Sequence, residues 1–382
     1  GALDANTTAS YNVAVGIDAL GVNTTGEGNT ALGRNALGSN TTGGLNVALG
    51  RQALTANTTA SENVSVGTYS MTANTTGYSN VAVGHYSMNA NTTASFNTAV
   101  GWRALFTTTT GGNNTAVGWS ALNVSTTAGL NVAIGYAAMQ ATTTGASNTA
   151  VGSYVLDANT TGEYNTALGY AALGASTTGS NNVAIGSGAG DAATTASYNT
   201  SVGAGALSAA TTGQYNTVVG YNAMDAITTG VEAVAIGSLA LTQASGSSNV
   251  ALGHKAGENV TTGTNNVLLG KETGRTGAPG GNITTGDNSV CIGNANIASA
   301  NIQVDWTIAS DKRDKTDVSQ LDLGLDFINQ LEPVTYRWDK RSKYSDDQSV
   351  TPDGTHKEDQ LEGGFLAQDV EEIENQYGYK TD

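Results

Sequence analysis

The stretch "WTIASDKRDKTDV", from Trp306 to Val318, holds the residues whose types and spacing come closest to a catalytic set. A serine hydroxyl is a weak nucleophile until a base removes its proton. The only histidine beyond this point is His356, in a polar segment that does not suit a Ser-His-Asp triad. Lys315 lies five residues after Ser310, and a lysine serves as general base once desolvation lowers its pKa. Ser310 is therefore the candidate nucleophile and Lys315 the candidate base. Asp311 and Arg313 are read as ordering the loop. On these residues alone the competing reading is stronger: Ser-Asp caps a helix and the charges solvate its first turn.

The elements that must hold such a site change character at the same point. The chain has 382 residues and a formal net charge of −16. Residues 310–382 carry nine Lys/Arg and eighteen Asp/Glu, whereas the first 309 carry six and thirteen. A step this sharp marks a domain boundary near Ser310. The acidic balance excludes a sequence-independent grip on nucleic acid, which needs clustered Lys and Arg. Cys291 is the single cysteine, so no intrachain disulfide forms. No apolar run approaches the ~20 residues of a membrane helix. The chain starts at Gly1 without an initiator Met or signal peptide, and Gly1 is read as an internal start.

Residues 1–293 repeat. "NVAVGIDALGVNTTGEG" from Asn12 is followed by "NTALGRNALGSNTTGGL" from Asn29 and "NVALGRQALTANTTASE" from Asn46. The glycines that close each N-x-A-[VLI]-G unit recur every 17 residues from Gly16 to Gly237. The next step, to Gly253, is 16 residues. Gly270 follows, then an insertion containing "RTGAPGG", and a last unit, "NSVCIG", ends at Gly293. Fixed periods of this kind mean stacked copies of one unit. Each unit reads as two short strands and a turn: N-x-A-V-G alternates like a strand, a second apolar pair such as Ala19–Leu20 follows, and N-T-T-G makes the turn. Stacking predicts ladders of Val over Val, Leu over Leu and Asn12 over Asn29 over Asn46. Coils ~4.8 Å apart give a rod of roughly 80 Å. Two large aliphatic residues do not offset the ordering of seventeen. The small Ala beside each large residue is therefore expected to form a second buried face, where neighbouring chains approach, and a parallel homotrimer is expected.

The pattern resembles the head of trimeric autotransporter adhesins, on "NVAIG" (Asn131–Gly135 and Asn182–Gly186) and "NSVCIG" (Asn288–Gly293). That resemblance implies a left-handed parallel β-roll within a trimer, although the adhesin repeat is shorter. A triple β-spiral, as in some viral fibres, is the alternative. The expected fold class is an all-β parallel solenoid of 17-residue coils over 1–293, a neck over 294–309, and a small α+β domain over 310–382.

The last 73 residues resemble the self-cleaving intramolecular chaperone of phage tail fibres and endosialidase tailspikes. Three motifs in order carry this: "SDKRDK" (Ser310–Lys315), "LDFINQLEPVTYRW" (Leu325–Trp338) and "GGFLAQDVEEI" (Gly363–Ile373). The resemblance implies cleavage between Ala309 and Ser310, with Ser310 attacking the Ala309 carbonyl and Lys315 as base, in a single turnover with no external substrate. Asp314 stands where the family has an aliphatic residue, and Thr316–Asp317 replaces its Glu-Asn. A carboxylate beside Lys315 favours the protonated amine and opposes its role as base. The family continues into further helices beyond "AQDV", so the domain is read as C-terminally truncated.

Other candidates fare less well. His85 and His254 follow repeat glycines, at a variable position elsewhere filled by Trp102, Tyr136 or Tyr170, so no metal site is expected. The N-T-T runs are formal glycosylation sequons that a turn role explains. Exposed Trp102, Trp119, Tyr136 and Tyr170 read as a surface ladder, with sugar stacking as the lesser alternative. No cofactor is expected.

The expected function is a structural, receptor-binding virion fibre, trimerised by the C-terminal chaperone. Its partners are two further copies and a host glycan or protein, with neither nucleic acid nor membrane insertion involved. Register is the physical problem such a domain solves, since every 17-residue offset looks alike. The alternatives are a bacterial surface adhesin, which needs an anchor, and a glycan-degrading tailspike, which needs paired carboxylates in a cleft that the thirteen scattered acids do not supply.

Overall fold

The computed structural model describes residues 1–278, 280–298, 325–339, 351, 353–357 and 359–377. The chain divides into two compact units, Gly1–Ala300 and Asn301–Asp382.

The first unit is a parallel β-solenoid of seventeen three-residue strands, from β1 (Val13–Val15) and β2 (Thr30–Leu32) through β8 (Val132–Ile134) to β17 (Val290–Ile292). Each strand pairs in parallel with its counterpart one coil on, residue for residue: Val13 with Thr30, Ala14 with Ala31, Val15 with Leu32. Parallel pairing of each coil on the next along the chain is the pattern of a solenoid. The 16-residue step leaves this register intact, with Val234 opposite Val250 and Ile236 opposite Leu252. The insertion before the last unit does likewise, since Val267 still faces Val290. Length changes are confined to the turns.

Two expectations about the coil need correction. It contains one strand, not two. The second apolar pair lies in a turn, and its large residue takes the left-handed conformation: Leu20 at φ 46°, Leu37 at 50°, Met71 at 49°. This costs an L-residue about 1–2 kcal/mol. The leucine is held there by complete burial and by its backbone, since Leu37 N–H donates to Ala53 O at 3.0 Å.

The second correction reverses the strand's faces. The small central residue points inward: Ala31, Ala48, Ala82 and Ala133 are fully buried and pack with Leu20, Leu37 and Leu54 in the solenoid's own core. The large aliphatic residues point outward, with Val15, Leu32 and Leu168 about half exposed. A narrow coil has room for only a methyl group beneath the strand once leucine enters from the opposite turn. Small size therefore marks the core, and not an approach between chains.

Two columns of asparagine stitch the coils together. Along the first, Asn131 donates its backbone N–H to Asn114 Oδ1 at 3.0 Å and its Nδ2 to Gly145 O at 3.0 Å. In the second, Asn40 Nδ2 donates to Asn23 Oδ1 at 2.8 Å, and Asn57 Nδ2 to Asn40 Oδ1 at 2.9 Å. Both columns are buried, which makes these bonds costly to leave unmade.

In the second unit, a short helix α1 (Leu325–Gln330) precedes strand β18 (Val334–Tyr336). Strand β19 (Glu362–Gly364) and helix α2 (Ala367–Gln376) follow.

Candidate functional site

Ala309, Ser310, Asp311, Arg313 and Lys315, together with Asp314, lie outside the described residues. The two downstream motifs lie largely within them, and the second unit brings them together. Strand β18 pairs antiparallel with β19, setting Val334 opposite Gly364 and Tyr336 opposite Glu362. Phe327 on α1 meets the Tyr377 ring edge-on at 5.7 Å, and Gln330 Nε2 donates to Tyr377 Oη at 2.6 Å. Tyr336 and Trp338 form a second edge-on pair at 5.4 Å. Asp339 Oδ2 accepts the Gly354 N–H at 2.8 Å.

Among the described residues of the second unit only Phe327 is buried. Leu325, Ile328, Leu361, Phe365 and Leu366 are exposed, and helix α2 buries none of its residues. Exposed apolar side chains of this kind offer a surface to a partner.

Residues 310–379 match the family model described as chaperone of endosialidase, starting at Ser310 itself. The C-terminal segment is a chaperone-of-endosialidase domain. No curated protein and no solved structure matches the chain. A parallel solenoid that leads into this chaperone domain is the organisation of a tail fibre or tailspike with a C-terminal chaperone.

The solenoid ahead of the chaperone domain presents three surfaces of interest. The first is the outward strand face. At the third strand position, from Val15 to Ile292, every one of the seventeen coils carries Val, Leu or Ile. At the first strand position, from Val13 to Val290, every coil carries Val or Thr. Sequence reasoning read the alternation correctly but assigned its faces the wrong way round, because period two does not say which side is inside.

The second surface is the corner after each repeat glycine. There Trp102 stacks on Trp119 at 5.0 Å and 13°, and Trp119 on Tyr136 at 4.6 Å and 6°. Tyr154 and Tyr170 continue the run edge-on at 5.2 and 6.1 Å. Below it, His85 lies 4.1 Å from Tyr86, and Tyr86 5.2 Å from Tyr69. Among the described residues no three His, Cys, Asp or Glu side chains converge.

The third is the N-T-T turn. Asn23, Asn40, Asn57, Asn74 and Asn91 are fully buried in the inner column, so these sequons offer no accessible amide for glycosylation. Their threonines serve the turn, as where Thr75 Oγ1 donates to Thr92 O at 3.1 Å.

Asp157 and Asp191 flank Gly174, where a built Cβ would stand 3.5 Å from one carboxylate oxygen and 2.8 Å from the other. Desolvation raises both pKa values above the ordinary aspartate range, and Asp191 raises that of Asp157 further. Burial likewise raises the Cys291 thiol, leaving little thiolate at neutral pH. Among the described residues no helix is long and apolar enough to cross a membrane.

Proposed function

We propose that this chain forms the shaft of a homotrimeric virion fibre, with the chaperone domain as its assembly nucleus. The observation that carries the reading is the outward strand face. Seventeen consecutive coils present only Val, Leu, Ile and Thr at its two positions, without a single charge. Isolated exposed aliphatic residues are ordinary, but an unbroken stripe of roughly 80 Å at this coil spacing is not. Its area is on the order of 1,000 Å², enough for one partner's share of a stable interface. The occupant must itself repeat at the coil spacing, and a second and third copy of this chain do so. Among the described residues of the chaperone domain, exposed apolar side chains such as Leu325, Ile328 and Phe365 support the same assembly, because they would close on one another around an axis.

In this reading Ser310 Oγ attacks the Ala309 carbonyl carbon while Lys315 takes the hydroxyl proton. The Ala309–Ser310 C–N bond breaks, the leaving amine of Ser310 is protonated, and water hydrolyses the resulting ester. Removal of the nucleus after assembly leaves a shaft that unfolds slowly, because the structure that set its register is gone. The fibre then attaches to a host surface through glycan or protein.

Intact mass spectrometry of the wild-type chain beside Ser310→Ala tests the processing step. Release of the 310–382 fragment from the wild type alone supports it. Equal behaviour of the two chains removes Ser310 from the account.

A further inference from the structure

Charge in the solenoid is unevenly placed. Residues 28–156 contain Arg34, Arg51 and Arg103 but only one carboxylate, Glu62. This block is net positive inside a chain of net charge −16. All three arginines stand on the corner that follows the repeat glycine, and among the described residues none forms an ion pair. In contrast, Lys255 and Arg275, further along the shaft, are engaged by Glu258.

The same corner carries the aromatic run, and the arginines are built into it. Arg51 bonds the Tyr69 hydroxyl and lies 4.9 Å from that ring. The Arg103 guanidinium sits 4.9 Å from the Trp102 ring and 4.2 Å from Phe106. The fold does not require any of this. Ser153, Ser187, Ala204 and Ser238 occupy the first corner position in other coils, and Ser120 and Ala137 the second, with the strand register undisturbed. Aromatic and cationic residues concentrate where the coil would accept serine.

Ring geometry says what kind of partner fits. Both faces of Trp119 are covered, one by Trp102 and the other by Tyr136, yet Trp119 is 40% exposed. What it shows is mainly its rim. Stacking hides the electron-rich π faces and leaves electropositive ring edges, an indole N–H and phenolic hydroxyls beside the arginines. A surface of this kind suits an electron-rich, hydroxyl-bearing and anionic partner better than the C–H face of a neutral sugar. The strip is linear, and its rings repeat every 4.6–5.2 Å from Trp102 to Tyr154. That spacing is close to the length of one pyranose in an extended chain.

We infer that the corner strip from Arg34 to Tyr154 binds a linear anionic polysaccharide laid along the shaft. This deepens the host-attachment part of the fibre reading and rests on it. Arginines take the acidic groups bidentately, while the tyrosine and tryptophan rims donate to hydroxyl and ring oxygens. Glu62 sits away from the strip, where it accepts the Ser79 hydroxyl at 2.8 Å.

The test uses the full chain on immobilised hyaluronan, alginate and polysialic acid, with dextran as neutral control and polyglutamate and oligo-dT as charge-only controls. Trp119→Ser with Tyr136→Ser, and Arg51→Thr with Arg103→Ser, install residues that neighbouring coils already use, so folding is retained. Tyr221→Ser changes the same coil position outside the strip. The expected result is retention on at least one acidic polysaccharide over dextran, polyglutamate and oligo-dT, weakened about tenfold by either strip pair and unchanged by Tyr221→Ser. No preference for any acidic polysaccharide, equal retention on the charge-only polymers, or unaltered binding by the strip variants would overturn it. Sedimentation of the same samples separates the two claims. A trimer that ignores the panel sinks the strip alone, and a monomer that binds sinks the fibre.

Discussion

Asn114 Oδ1 accepts both the backbone N–H of Asn131, at 3.0 Å, and its Nδ2, at 3.3 Å. One side-chain oxygen thus closes the gap between coils where the strand begins. Asn114→Ala leaves the Asn131 N–H buried without its partner, at a cost of about 1–3 kcal/mol. The chain contains its own comparison at Ala233, which stands in this column. There the Asn249 side chain turns its Nδ2 to Gly246 O as well as Gly263 O. Hydrogen exchange should open the coils around Asn114→Ala first, with those near Ala233 unchanged.

The repeat glycines are constrained by stacking as well as by dihedral. Gly50 has φ 137°, and a Cβ there would lie 2.6 Å from Gly67 O. Gly50→Ala is expected to split the solenoid at that coil and expose it to limited proteolysis. Gly188 also has positive φ, at 64°, but meets nothing within 4 Å. Other coils place Asn35 and Asn222 at its position, so Gly188→Asn should fold normally and resist the same protease.

Asp157 and Asp191 have pKa values raised by burial, so the folded state favours their protonated forms. Between the ordinary aspartate pKa and the raised one, the folded chain binds more protons than the unfolded chain, and stability falls as pH rises through that window. Asp157→Asn with Asp191→Asn should therefore raise Tm at pH 7. The gain should vanish below the ordinary aspartate range, near pH 3–4. A gain that persists at low pH would assign the effect to packing instead.

Much of this architecture was legible as metre. The 17-residue spacing gave coil length, strand position and the asparagine column, because any repeated unit that stacks must place equal residues in equal surroundings. It did not give the direction of the strand. Ala31 and Leu32 alternate identically whichever of them faces inward, and the left-handed Leu37 that fills the core has no sequence signal of its own. For the chaperone domain, three motifs in order identified the segment, and the second and third meet in the pairing of Val334 with Gly364. The stacked corner was readable as exposed aromatics, whereas ring orientation, which decides what the corner can bind, required coordinates.

A homotrimeric fibre needs the outward strand face as its subunit interface. Sedimentation equilibrium of the Ser310→Ala chain, beside the same chain carrying Val117→Lys and Ile134→Lys, addresses it directly. Both residues lie on that face, outside the solenoid's own core. The prediction is a mass of three chains for the first and a shift towards monomer for the second, with far-UV circular dichroism of the shaft retained. A monomer without the lysines, or an undiminished trimer with them, would contradict it.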